Sequence, residues 1–364
     1  MTRSILLLKR DFTAIGGAEK YARQMAHALH EKGARVTVLT SGPTIEAFPF
    51  EVISVPRQTG SSLQKILRFD RFAESHRKAQ KPDLVLGLER NSYQTHLRAS
   101  SGTHRAYLAH RKSEEPLWKS FRHQINPLHR LLLHIEKKGF ENPALETLFT
   151  NSHLVKREIL SHYNVAEEKI SVIHNGVEWA AWQTSFDRWP TNSSKERYEF
   201  LFVGHNFKRK GLDRLLQGLA QLKGTDFHLS VVGEDKERDR YEHLAQTLGL
   251  NVTFHGSQNE VCPFYQKADC LVIPSLYDPF ANVTIEALAM GLFVISSKTN
   301  GGSEILTSQN GTLIEDLSSP EAMAQALRIA LKHPKTLESA QETRHGVKSM
   351  DFSLQLGEYL KKLL

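Results

Sequence analysis

Residues 5–39, ILLLKRDFTAIGGAEKYARQMAHALHEKGARVTVL, read as strand, loop, helix and strand. The apolar run at 5–8 has the length of a strand and ends at Lys9-Arg10. Over 18–32, Tyr21, Met25, Ala28 and Leu29 recur at helical spacing, and Gly33 stops the helix. A second apolar strand follows at 36–39. Short apolar strands alternating with helices imply parallel pairing with helices on both faces of the sheet, a doubly wound α/β arrangement.

The alternation continues outward from this unit. Strands are expected at 51–55, 83–88, 148–151 and 170–173, and the stretch 104–142 is basic, histidine-rich and helical in pattern, ending at Asn142-Pro143. Residues 184–199 are polar, with Pro190, Asn192, Ser193 and Ser194. The plan then restarts. A strand at 200–203 leads through a loop at 204–211 to a helix at 212–222, with Leu215, Leu216 and Leu219 along one face. Further strands are expected at 228–233, 252–254, 270–274 and 293–296. The sequence thus predicts two Rossmann-like, doubly wound α/β domains facing a central cleft. The expected limits are 1–177 for the first domain, 178–199 for a linker and 200–345 for the second domain. An amphipathic helix within 346–364 returns toward the first. Open α/β sheets bind ligands beyond the carboxyl ends of their strands, so the cleft is the expected site.

Composition narrows the class. With 364 residues, 40% of them hydrophobic, the chain can bury two cores, which excludes disorder. Its 22 Gly and 13 Pro recur throughout and exclude a coiled coil. Two cysteines, Cys262 and Cys270, make neither a disulfide framework nor a zinc cluster, which points to a reducing compartment. No apolar run reaches the length of a signal peptide or membrane span, so a cytosolic protein is expected. The net charge of +7 is unevenly placed: residues 1–175 hold 27 Lys and Arg against 17 Asp and Glu, and the remainder holds 20 against 23. The first half is therefore fitted to an anionic partner (a lipid surface, a phosphorylated acceptor or nucleic acid) or presents a basic solvated face.

Three stretches carry chemistry. Gly16-Gly17 lies between the first strand and helix, where backbone N–H groups can approach a phosphate and the helix end adds partial positive charge; a structural turn explains the pair equally well. Neither G-x-G-x-x-G nor the P-loop pattern occurs. In the matching loop of the second domain, Arg209 and Lys210 before Gly211 can neutralise a diphosphate, or can simply be solvated. The strongest signal is DPFANVTIE at 278–286. Pro279 favours an extended approach to a helix whose first N–H groups, from Phe280, Ala281, Asn282 and Val283, point at an anion or at sugar hydroxyls. Asp278 stands before that helix and Glu286 about two turns along it, so that the pair spans one elongated ligand. A helix-capping Asp with an exposed helix Glu is the plain structural alternative. No Asp-x-Asp pair occurs and no metal is indicated.

Taken in order, Gly16-Gly17-Ala18-Glu19, His174-Asn175-Gly176-Val177, Arg209-Lys210-Gly211, Asp278-x7-Glu286 and Asn300-Gly301-Gly302-Ser303-Glu304 resemble glycosyltransferase family 4, the retaining sugar-nucleotide transferases of GT-B fold. The nearest likeness is to its lipopolysaccharide core glucosyltransferases, and it is weakest over 60–145. The resemblance implies transfer of a hexose from a nucleoside diphosphate sugar to a saccharide or glycolipid acceptor. Glu286 would hold the ribose. Asp278, where the family usually has Glu, would hold the hexose with about one methylene less reach. Arg209 and Lys210 would hold the diphosphate with no divalent metal as cofactor. Phe280 to Val283 would give backbone contacts, with Ala281 replacing a common Gly, and the loop holding Ser257 and Val261 would face the base. In the first domain His104 is expected near the hexose, although a histidine at a helix start also serves structure. Ser100-Ser101 stand where related enzymes tend to carry an acid.

Arg105, Arg111 and Lys112, with Lys119, Arg122, Arg130, Lys137 and Lys138, would bind an anionic acceptor or the cytoplasmic face of an anionic inner membrane. Closure about 175–200 would exclude water. Two other readings stand beside this one: a GT-B epimerase acting on a nucleotide sugar alone, and a nucleic-acid-binding protein suggested by a pI of 9.2. The latter lacks grouped aromatics for base stacking, so no nucleic acid is expected as a partner.

Overall fold

The structure, a computed structural model, describes residues 2–12, 16–42, 47–55, 60–114, 126–189 and 197–364, with backbone alone at 112–114. The chain divides into two compact units, Met1–Ile173 with Leu356–Leu364, and His174–Gln355.

The first unit runs β1 (Ser4–Leu8), α1 (Gly17–Glu31), β2 (Arg35–Thr40), β3 (Glu51–Ser54), α2 (Ser62–Gln80), β4 (Leu84–Gly87), β5 (His96–Arg98), α3 (His104–Glu114), α4 (Pro127–Phe140), β6 (Thr147–Thr150), α5 (His153–His162) and β7 (Ile170–Val172). All neighbours pair in parallel, in the order β3-β2-β1-β4-β5-β6-β7. In β1, Ile5 and Leu7 enter one core while Leu6 and Leu8 enter another. An unbroken apolar run is what a strand covered on both faces requires.

The second unit runs α6 (Trp179–Asp187), β8 (Tyr198–Val203), α7 (Phe207–Lys210), α8 (Leu212–Leu219), β9 (Phe227–Val232), α9 (Arg238–Thr247), β10 (Val252–Gly256), α10 (Cys262–Lys267), β11 (Cys270–Ile273), α11 (Asn282–Ala289), β12 (Phe293–Ser297), β13 (Gly311–Ile314), α12 (Pro320–Ala330) and α13 (Leu337–Gly346). Its parallel sheet has the order β10-β9-β8-β11-β12-β13. Phe200 and Phe202 of β8 face one core and Leu201 the other.

The last helix, α14 (Phe352–Leu363), buries Tyr359 and Leu363 in the first unit's core. There Arg98 Nε donates to Tyr359 Oη at 3.1 Å, and its guanidinium lies 3.7 Å from the Tyr21 ring centre. Arg98 was invisible as a core residue because a buried cation needs an aromatic seat that only tertiary structure supplies.

Four local readings change. Residues 178–189 hold α6, whose Phe186 pack with Trp189 into the second unit's core, so the polar composition of the expected linker misled there. The expected loop 204–211 contains the one-turn helix α7. The helical stretch 104–142 comprises α3 and α4, with 115–125 outside the described residues. Strands β5 and β13 were not anticipated: HLR and GTLI are too short, and too polar or glycine-led, to show a period.

Candidate functional site

The order of the second sheet reverses between β8 and β11, and a crevice opens at the carboxyl ends of such a strand pair. The segments leaving those two strands carry Arg209, Lys210 and Asp278. After β8, Asn206 adopts a left-handed conformation, φ 59°, and its side chain accepts the Arg209 N–H at 3.2 Å, which starts α7. Gly211 follows at φ 75°. A Cβ there would lie 2.1 Å from Pro274 O, so only glycine lets the chain turn into α8 this close to the segment leaving β11. Leu276 N–H donates to Arg209 O at 2.9 Å and ties the two segments together.

The result is a compact charged group. Lys210 Nζ donates to Asp278 Oδ2 at 2.7 Å, and Arg209 Nη1 donates to the same oxygen at 3.3 Å and to Tyr277 O at 3.0 Å. Asp278 is buried, whereas the Arg209 side chain keeps 36% of its exposure. Two cations on one carboxylate leave net positive charge beside a helix start, where the backbone adds more.

That helix is α11, and its start is held by Asn300. Asn300 is fully buried. Its Oδ1 accepts the N–H groups of Ala281 and Gly302, each at 3.0 Å, while Nδ2 donates to Ser296 Oγ at 2.9 Å and Thr284 Oγ1 at 3.3 Å. Of the four amides expected to face a ligand, Phe280 therefore donates to Asp278 Oδ1 at 3.3 Å and Ala281 to Asn300. The amides of Asn282 and Val283 are the first two of the helix proper, which precede any intrahelical acceptor. Asn175 Nδ2 donates to Asn282 Oδ1 at 2.8 Å, and His174 Nε2 lies 3.1 Å from Glu304 Oε2 with its ring against Phe280.

Glu286, two turns along α11, is half-buried rather than an exposed helix Glu. Its Oε2 accepts the Tyr265 hydroxyl at 2.9 Å. Burial raises its pKa, an effect opposed by that hydrogen bond and by the charge of Lys210. Lys210 thus acts on both carboxylates. Sequence reading missed Tyr265, since an isolated aromatic in a short helix carries no signal of its partner. Ser257 is exposed just beyond β10, and Val261 is the residue before α10, the helix that carries Tyr265.

In the first unit Gly16 is the N-cap of α1 and Gly17 its first residue, in the segment leaving β1. The sheet order reverses there too, between β1 and β4. Beside them Lys9 Nζ pairs with Glu19 Oε1 at 2.9 Å. His104 opens α3 and is buried. Its Nε2 shares a 3.0 Å hydrogen bond with His129 Nδ1, and its N–H donates to Glu136 Oε2 at 2.6 Å. Burial, Arg90 and His129 push the His104 pKa down to about 4 against the pull of Glu136, so the ring is neutral at pH 7. Glu136 also accepts from Arg90 Nε at 2.7 Å, from Arg105 N–H at 3.3 Å and from the Tyr163 hydroxyl. Arg105 is exposed, and Arg111 Nη1 donates to Tyr107 Oη at 3.2 Å. The side chain of Lys112, and all of Lys119 and Arg122, lie outside the described residues. Among the described residues no helix is long and apolar enough to cross a membrane.

Two parallel α/β sheets, with a cationic cluster at the switch point of the second, are the architecture of a nucleotide-binding α/β enzyme. The comparisons take this further. The model described as Glycosyltransferase Family 4 matches residues 15–179, and that described as Glycosyl transferases group 1 matches 183–345. The chain belongs to glycosyltransferase family 4. It is 26% identical over 353 residues to the lipopolysaccharide glucosyltransferase WaaG of Escherichia coli (strain K12), covering 92% of each chain. The crystal structure of WaaG matches with a TM-score of 0.76 at 22% identity, covering 98% of each chain. HepE of Anabaena in complex with UDP-glucose matches with a TM-score of 0.70 at 16% identity over 99% of each chain. Neither the epimerase nor the nucleic-acid reading is favoured by these relatives.

Proposed function

We propose that this enzyme moves a hexose, with retention of anomeric configuration, from UDP-glucose or a similar nucleoside diphosphate sugar to a saccharide or lipid-linked acceptor in lipopolysaccharide core assembly. The observation that carries the reading is the convergence of Lys210 and Arg209 on Asp278 at the switch point of the second sheet. Support for donor and acceptor comes from the names of the relatives, a lipopolysaccharide glucosyltransferase and a protein solved with UDP-glucose.

The barrier lies in departure of the diphosphate through an oxocarbenium-like state. Charge grows on the leaving oxygens, and Arg209, Lys210 and the leading amides of α11 would stabilise it without a divalent metal. Glu286 would accept from the ribose hydroxyls and Asp278 from the hexose. Ser257 and Val261 would flank the base, and the Gly16-Gly17 turn would let backbone N–H groups approach a phosphate. Retention fits front-face attack, with a leaving phosphate oxygen taking the acceptor proton. The basic excess of the first unit, including Arg105, Arg111 and Lys112, would hold an anionic acceptor at the cytoplasmic membrane face, each cation contributing about 1 kcal/mol.

The test is a thermal-shift screen across nucleoside diphosphate sugars, since a ligand of the folded state raises Tm. UDP-glucose should stabilise, and chelators should leave both shift and turnover unchanged. A β-linked product from an α-donor would overturn retention. Flotation with anionic liposomes should weaken with salt, and salt-independent flotation would reject the electrostatic account of membrane contact.

A further inference from the structure

The geometry points to Tyr265 as the residue that positions Glu286 for the donor, an inference that rests on the reading of Glu286 as the ribose acceptor. Tyr265 is fully buried in α10, with its ring edge-on to Trp182 at 5.5 Å. Its own carbonyl accepts Lys335 Nζ at 3.0 Å, and Lys335 N–H donates to Asp269 Oδ1 at 3.0 Å, so the end of α10 is anchored. A buried phenol must find a hydrogen-bond partner, and this one donates to Glu286 Oε2 at 2.9 Å. Engaging Oε2 fixes the carboxylate plane and leaves Oε1 for a ligand hydroxyl. A carboxylate left to rotate would have to be ordered when the donor binds, at a cost in affinity.

The same bond favours the charged form of the carboxylate. Burial favours the neutral form of Glu286, and Tyr265 from α10 together with Lys210 from α7 oppose it. Other charged groups near α11 have partners of their own: Asp278 with Lys210 and Arg209, Glu304 with His174, and Arg344 of α13 with Ala289 O. Loss of the phenol hydroxyl therefore raises the Glu286 pKa further and moves the acid limb of donor binding upward.

Steady-state kinetics with UDP-glucose test this on the full-length enzyme. Tyr265→Phe keeps the ring and should raise the donor KM about tenfold, or about 1.4 kcal/mol, with kcat within about twofold. The acid limb of kcat/KM for the donor should move up in pH. Glu286→Gln should raise the KM at least as much and abolish the limb, and Tyr265→Phe should then add nothing. If Glu286→Gln leaves the donor KM unchanged, the reading of Glu286 falls. If it raises the KM while Tyr265→Phe does not, or the two effects simply multiply, the positioning role falls and the reading of Glu286 stands. Should Tyr265→Phe not fold, 3-fluorotyrosine placed at 265, a stronger donor, should move the limb down. An unmoved limb overturns the inference.

Discussion

The two units each build a charged group round a carboxylate, and they use it in opposite ways. In the second unit Asp278 collects Lys210 and Arg209, and Arg209 stays partly open to solvent. The cations have donors to spare, because an ammonium has three and a guanidinium five. In the first unit the Glu136 side chain is wholly shielded and accepts from Arg90, from the amides of His104 and Arg105, and from Tyr163. That carboxylate has no capacity left. The open group can take a ligand, and the closed one holds α3, α4 and α5 in register.

The comparison breaks first if the closed group proves dispensable. Glu136→Ala removes one partner of a buried ion pair and leaves Arg90 uncompensated, a change that costs about 3–5 kcal/mol. Thermal or denaturant unfolding should show that loss, with donor affinity of the remaining folded protein little changed. Next comes the open group. Lys210→Ala should cost about 2.7–4 kcal/mol of transition-state stabilisation, a drop of about 10² to 10³ in kcat, with a Tm loss smaller than that of Glu136→Ala because Arg209 still pairs with Asp278. A Tm loss matching that of Glu136→Ala would mean that Lys210 is structural too.

The third effect concerns geometry rather than charge. Gly211→Ala places a β-carbon against Pro274 O in a left-handed residue, and should cost roughly 2–3 kcal/mol through strain and overpacking. Because α7 sits on that turn, the donor KM should rise alongside. A stability loss with no change in KM would separate the cations from the turn that aims them.

Legibility followed the same divide. The alternation of apolar strands and helices gave two doubly wound sheets, because parallel strands buried on both faces leave long apolar runs such as 5–8 and 200–203. Asp278, Arg209 and Lys210 were legible as separate motifs, and their meeting follows from the positions of β8 and β11 in the sheet. What stayed hidden were partners distant in sequence with no motif of their own: Tyr265 on Glu286, Arg98 between Tyr21 and Tyr359, and Glu136 beneath His104. Each is a residue whose role is set by what it is buried against. The polar stretch at 184–199 misled for the converse reason, since Phe186 and Trp189 pack into a core despite their neighbours.

The smallest expected effect concerns His104, which sequence reading placed near the hexose. Its contacts are those of the closed group: Nε2 meets His129, the N–H meets Glu136, and the ring is buried. A folded-state pKa of about 4 against an ordinary 6.5 means that unfolding takes up a proton across that interval. Stability from this group is therefore complete above pH 6.5 and declines as pH falls toward 4, by about 2 kcal/mol between pH 7 and 5. Other histidines with lowered pKa values, His96, His110 and His255, contribute in the same direction, so the difference between variants isolates His104. His104→Gln cannot titrate but can still hydrogen-bond His129, and its stability should fall less steeply over pH 7–5. Its kcat/KM should stay within about threefold of the parent, because losing a group that stabilises the transition state costs far more. A fall of about 10² with an unchanged pH slope would move His104 from the closed group to the open one.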